Sequence, residues 1–151
     1  MGFLKRLRKP PWLRKTADGA AFDAFILNGG EVVEVVGESF YQEAFEEIVG
    51  PRRHQSANAE VMAFLIPEPD NPHDPEAVAV FVQLPHQGDI RKVGHLSRHS
   101  AQRYRSVLRR VVDQNQVPAC NARITGGWYR GKSDQGSFGI GLDLARPQDA
   151  L

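Results

Sequence analysis

The chain has 151 residues, 41% of them apolar and 25% charged, with a formal net charge of +1. That length suits one domain whose core is large enough to be stable alone. A single cysteine, Cys120, excludes an internal disulfide and a four-cysteine zinc site. No apolar run is long enough for a bilayer span, and the amino-terminal residues lack the apolar core of a secretory signal. A cytoplasmic protein with no stable membrane association is therefore expected.

The near-neutral total conceals a division. Residues 31–76 hold eleven acids against two bases, Arg52 and Arg53. Residues 91–110 hold seven bases and no acid, and residues 1–15 hold six bases and no acid. Such asymmetry suits a polyanion partner, although the two oppositely charged stretches also suit each other.

Taken in order, Met1–Lys15 reads as a basic arm, broken by Pro10-Pro11. It suits nucleic acid, an anionic surface or a partner protein. Residues 16–30, with Phe22, Phe25, Ile26 and Leu27, read as a linker that docks on the domain. Residues 31–146 form the domain proper, and 147–151 a short tail. Glu31–Val36 is a valine-rich strand ended by Gly37. Ser39 and Gln42 have the spacing of a capping box, and Tyr41, Ala44, Phe45, Ile48 and Val49 share one helical face. Gly50-Pro51 closes that helix. Phe40 falls off the apolar face, so it either packs on a neighbouring strand or stands out as a stacking platform.

Strands follow at Asn58–Pro67, 77–84 and Lys92–Leu96. Ser97 caps a second helix to about Asp113, with Ala101, Tyr104, Leu108, Val111 and Val112 inward and five arginines outward. The last strands are Val117–Thr125 and Ser137–Leu144, joined by a glycine-rich loop containing Trp128, Tyr129, Arg130 and Lys132. Cys120 lies in an apolar-alternating run and reads as a buried thiol. Short connections between about six strands, with two helices, predict a mainly β, α+β fold, a small OB-like antiparallel β-barrel.

The most informative stretch is Glu68-Pro69-Asp70-Asn71-Pro72-His73-Asp74-Pro75-Glu76, which leads into the apolar strand Ala77–Val82. Three prolines fix φ and remove three backbone donors, and Asn71 and Asp74 are pushed toward extended backbone by the prolines that follow them. The loop is expected to be stiff and to present Asp70, Asn71, His73 and Asp74. Such a loop suits a binding site, and equally a plain hairpin connection in which Asp74 caps its own turn.

With Val36-Gly37-Glu38-Ser39-Phe40-Tyr41, this loop, Val93-Gly94-His95-Leu96 and the closing Ala122–Gly127 with Asp143-Leu144, the chain resembles a HIRAN domain over roughly residues 31–145. The resemblance is to the free-standing bacterial type and to the HIRAN domain of SWI/SNF-class repair helicases. It implies an OB-like barrel with added helices that captures the 3′-hydroxyl end of single-stranded DNA. It further implies that Asp74 receives the terminal hydroxyl, which a carboxylate accepts while repelling a phosphate. His95 would donate to a phosphate oxygen, Arg98 would meet the backbone, and Phe40 would stack on a base beside Tyr41. Phe138 would be a late aromatic against the bases. His73 stands where a tyrosine is commoner, and Ser39 where an animal member has arginine.

The expected function is a non-catalytic binding module for 3′-OH ends of single-stranded DNA, with RNA an open possibility, in repair or replication. No cofactor, metal or catalytic residue is expected, and ATP-driven work would come from a helicase or nuclease partner. Two alternatives stand beside it. One is a metal-dependent hydrolase or nuclease accessory domain using His73, Asp74, His95 and His99. The other is an adaptor that docks through the basic arm.

Overall fold

The structure is a computed structural model that describes residues 23–85 and 88–150. The basic arm and most of the expected linker lie outside the described residues. In chain order the elements are β1 (Ala24–Ile26), β2 (Glu31–Val36), a 3₁₀ turn (Glu38–Phe40) and α1 (Gln42–Val49). Then come β3 (Ala57–Pro67), β4 (Val78–Gln83), β5 (Ile90–Leu96) and α2 (Arg98–Asp113). β6 (Val117–Gly126), β7 (Phe138–Leu144) and a 3₁₀ turn (Pro147–Asp149) complete the chain.

Six strands close an antiparallel barrel in the order β2, β7, β6, β3, β4, β5 and back to β2. The fold is thus the expected small OB-like barrel with two helices. β1 is an addition: it pairs in parallel with the start of β6, Ala24 opposite Val117 and Ile26 opposite Ala119. Leu27, just beyond it, is buried in the core. The expected docking linker therefore contributes a strand at its described end.

β4 explains its own sequence. Its apolar run has no polar alternation because both faces are covered. Val78, Val80 and Val82 join the barrel interior with Leu65, Val93, Ile124 and Leu142. Ala79 and Phe81 join a second buried cluster with Phe64, Ile66, Ile90, Val117 and Ala119. α1 places Phe45 and Ile48 in the main core, and α2 does the same with Ala101, Tyr104, Val107 and Leu108. Tyr104 is fully buried, and its hydroxyl donates to the Ala145 carbonyl at 2.8 Å, so its one polar group is satisfied. Ser97 caps α2 as expected, accepting from the Ser100 amide at 3.1 Å. Cys120 is buried, and burial pushes its thiol up to about 12.

The capping box is not formed. Gly37 turns the chain at φ 79°, and the following 3₁₀ turn uses up Ser39, so α1 begins at Gln42 with Tyr41 at its cap and no side-chain cap bond. The Gln42 amide is used elsewhere. Its Oε1 accepts from the Phe138 amide at 2.8 Å and its Nε2 donates to the Phe138 carbonyl at 3.1 Å. This side chain thereby ties the helix start to β7.

The barrel is narrowest in pairing where β2 meets β5, with only Val35 opposite Leu96 and Val36 opposite His95. Gly94 permits that approach. A Cβ there would lie 2.5 Å from Val35 Cγ1 and 2.6 Å from the Val36 carbonyl oxygen. Gly94→Ala should therefore pry the seam and cost roughly 1–3 kcal/mol, as overpacking does. Denaturant unfolding measures this, and a midpoint equal to wild type would show that the seam adapts.

Candidate nucleic-acid interface

The stiff loop joins β3 to β4 and is closed at its base by the Glu68 amide donating to the Ala77 carbonyl at 2.9 Å. Inside it, Asn71 Oδ1 accepts from the amides of His73 at 2.9 Å and Asp74 at 3.1 Å. Asp74 Oδ1 accepts from the Glu76 amide at 2.9 Å. These are Asx turns, and with the prolines they leave the loop little freedom. Asp74 therefore does cap its own turn, but with one oxygen. Its other oxygen, Oδ2, lies 3.8 Å from Nε of Arg98, an ion pair too long for a hydrogen bond. The carboxylate keeps acceptor capacity on the open side of the loop. His73 is exposed at the loop tip.

At the base of the loop sits Glu68, a residue whose role its place in the sequence does not disclose. The Glu68 carboxylate takes one cationic or imidazole partner on each oxygen. Lys92 Nζ lies 2.6 Å from Oε2, and His95 Nε2 lies 2.8 Å from Oε1. Asn71 Nδ2 adds a third donor to Oε1 at 3.2 Å. Burial alone would raise this carboxyl; hydrogen bonds from His95 and Lys92, the Lys92 charge and the Asn71 amide override it and hold it at about 2. Lys92 is itself buried, and its ammonium lies 5.9 Å from the centre of the Tyr41 ring, a cation–π contact.

Lys92 and His95 reach one carboxylate because β5 carries a bulge. Val80 pairs with Gly94, yet Phe81 pairs with Lys92, so Val93 is the extra residue. In a regular strand, residues three apart point to opposite faces; the inserted residue rotates them onto one side.

Of the expected contacts, Tyr41, His73, Asp74, His95 and Arg98 are linked through the loop and the Glu68 network, and Phe40 precedes Tyr41 in the turn that meets Lys92. Phe40 is 85% exposed with its ring unpacked, so it does not make the strand contact that was the alternative for it. Tyr41 is half-buried over Lys92. His95 commits Nε2 to Glu68, so donation to a phosphate falls to Nδ1 and requires the imidazolium form. Phe138 is a correction. It is 3% exposed, stacked on Phe45 with ring centres 5.7 Å apart, and has the Arg52 guanidinium 5.5 Å from its ring centre. A base cannot reach it, because β7 turns it inward to plug the barrel. Among the described residues, no three histidine, cysteine or carboxylate side chains converge as metal ligands, and His99 lies apart in the first turn of α2.

The charge division largely resolves within the fold. Arg91 pairs with Glu47, Lys92 with Glu68, Arg98 with Asp74, Arg103 with Glu31 and Arg105 with Glu76. Arg109 and Arg110 make no ion pair among the described residues.

A closed antiparallel barrel with a carboxylate-bearing loop, a cation and an exposed ring on one rim defines a mainly β domain of the OB-like class. Within that class the HIRAN domain family matches residues 29–126. The chain belongs to the HIRAN domain family, a family of nucleic-acid-binding domains. Comparison with curated proteins and with solved structures finds no match. No helix of the described chain is long and apolar enough to cross a membrane.

The Glu68 network yields a stability prediction. A carboxyl whose folded value lies below its ordinary 4.5 stabilises the fold above that pH, and the contribution disappears as pH falls toward 2. Glu68→Gln should lose on the order of 3 kcal/mol at neutral pH, since Lys92 is left buried without its counter-charge. It should also flatten the acid limb of the stability profile. Denaturant unfolding from neutral pH down to about 2 checks both, and a variant that keeps the wild-type acid slope would remove Glu68 from this role.

Proposed function

We propose that this protein is a non-catalytic module that binds single-stranded DNA by its free 3′-hydroxyl end. The observation that carries the proposal is the half-committed Asp74 carboxylate. One oxygen is fixed by the Glu76 amide, while the other, on a side chain that is 28% exposed, lies 3.8 Å from Arg98 Nε. A terminal hydroxyl donates to that oxygen, whereas a terminal phosphate offers only acceptors and a second negative charge. Arg98, 87% exposed at its side chain, supplies a mobile cation for the adjoining phosphate. Phe40 supplies the face on which the end base stacks.

Repair or replication in the cytoplasm is the setting that suits such a module. The sequence shows no phosphate-binding glycine loop and no helicase motif, so ATP-driven work on the bound strand would fall to a helicase or nuclease partner. The hydrolase alternative finds no ligand cluster among the described residues, and the adaptor alternative rests on residues 1–15, outside them.

Two measurements test the reading. Fluorescence anisotropy with matched oligonucleotides should show tighter binding of the 3′-hydroxyl form than of the 3′-phosphate form; equal affinity would defeat end recognition. Phe40→Ala should weaken binding of the 3′-hydroxyl strand by about 1–3 kcal/mol without altering stability, the ring being exposed. Unchanged affinity in that variant would remove Phe40 from the contact.

A further inference from the structure

We propose that the loop between β6 and β7 is a second subsite for the same strand, holding nucleotides on the 5′ side of the captured end. This rests on the end-binding reading above and extends it. The loop is built, not loose. Tyr129 bridges Gln135, the Arg130 amide donates to the Asp134 carbonyl at 2.9 Å, and the Gly136 amide donates to the Trp128 carbonyl at 3.0 Å. Trp128 also bridges Arg53, and the Tyr129 amide donates to the Arg53 carbonyl at 2.8 Å. Trp128 is the structural ring: it lies against Gly136, where any side chain would collide with it, and its Nε1 donates to Asp134 at 3.1 Å.

Tyr129 is left 46% exposed on this frame. Cations share the frame, with the Arg130 guanidinium 5.8 Å from the centre of the Trp128 ring. The Arg130 guanidinium donates to the His54 carbonyl at 3.0 Å, and Arg53 and Lys132 are exposed with no ion pair among the described residues. Arg52 lies beneath. The acids nearby are Glu46, 3.7 Å from Arg52, and Asp134, 3.5 Å from Arg130. An aromatic face amid a net excess of cations is what a single strand uses, rings under bases and cations along phosphates.

Arg52 links this frame to the turn that carries Phe40 and Tyr41. Arg52 donates to the Gly136 carbonyl at 2.6 Å and to Gln42 Oε1 at 3.2 Å. Gln42 is the residue after the Phe40–Tyr41 turn and is itself bonded to Phe138. One arginine thus joins the end-site turn to the Tyr129 loop, so the two aromatic positions belong to neighbouring parts of the fold. The occupant is a single strand of nucleic acid, whose bases suit an exposed ring and whose phosphates suit the unpaired cations beside it.

Anisotropy on the full chain with 3′-hydroxyl oligothymidylates of about three and about twelve nucleotides separates the subsites. The longer strand should bind about tenfold tighter. Tyr129→Ala and Lys132→Glu should each shrink that advantage while leaving affinity for the short strand unchanged, and Tyr129→Phe should retain it. Equal affinity for both lengths in the wild-type protein overturns the second subsite, as do variants that weaken both lengths equally or neither. The end-binding reading fails separately, if a short 3′-phosphate strand binds as well as its 3′-hydroxyl match.

Discussion

The rim of this barrel depends on one part-buried carboxylate. Glu68 ends β3, Lys92 and His95 lie on β5, and Asn71 lies inside the loop. Two donors come from β5 and one from the loop, so the carboxylate fixes the loop against that strand. Buried charge is unfavourable unless it is paired and its hydrogen-bonding positions are filled. Here both conditions hold. Lys92 supplies the charge, Asn71 and His95 fill Oε1, and the Tyr41 ring covers the ammonium. Specificity of placement is the main consequence, since any shift of the loop would break several bonds at once.

The same economy changes what the charge pattern means. Eleven acids in one stretch and seven bases in another suggest a polyanion partner when read as composition. Five of those bases instead meet acids of the first stretch across the fold. Most of these pairs are at least partly exposed, so they contribute little to stability. Their effect is to quiet the surface, leaving Arg98, Arg109 and Arg110 as the cations of that segment most available to an outside partner. Nucleic-acid binding by such a surface leans on rings and fixed acceptors more than on bulk charge.

The sequence made the strands, the second helix and its serine cap, and the closed mainly β barrel legible, because apolar periodicity and turn residues report on burial directly. It misled where one residue has two possible uses. Ser39 and Gln42 stand at capping-box spacing, but the glycine turn at Gly37 moves the helix start, and Gln42 is worth more as a clamp on Phe138. Phe138 was legible as an aromatic, though not as an inward one, since a single position on a short strand carries no facing information without its register. Glu68 was hidden for a different reason. Its partners sit three apart, which alternation assigns to opposite faces, and only a bulge brings them together. A lysine and a histidine on a strand that is mostly buried were the available signal that a partner acid lies beneath the loop.

What the stiff loop achieves is a matter of entropy. A lone carboxylate on a flexible loop would turn to face water, and holding it for a hydroxyl would cost the loop its freedom at each binding event. Here that ordering is complete before a ligand arrives. Prolines at 69, 72 and 75 narrow the unfolded as well as the folded chain. Asn71 ties down two amides, and Asp74 anchors itself through Oδ1, so the direction of Oδ2 is set by the fold. An acceptor fixed in this way discriminates by what it faces: a hydroxyl satisfies it, and a phosphate leaves it repelled and desolvated. Self-capping and ligand binding, which compete when a carboxylate has one useful oxygen, are compatible here because Asp74 divides them between two.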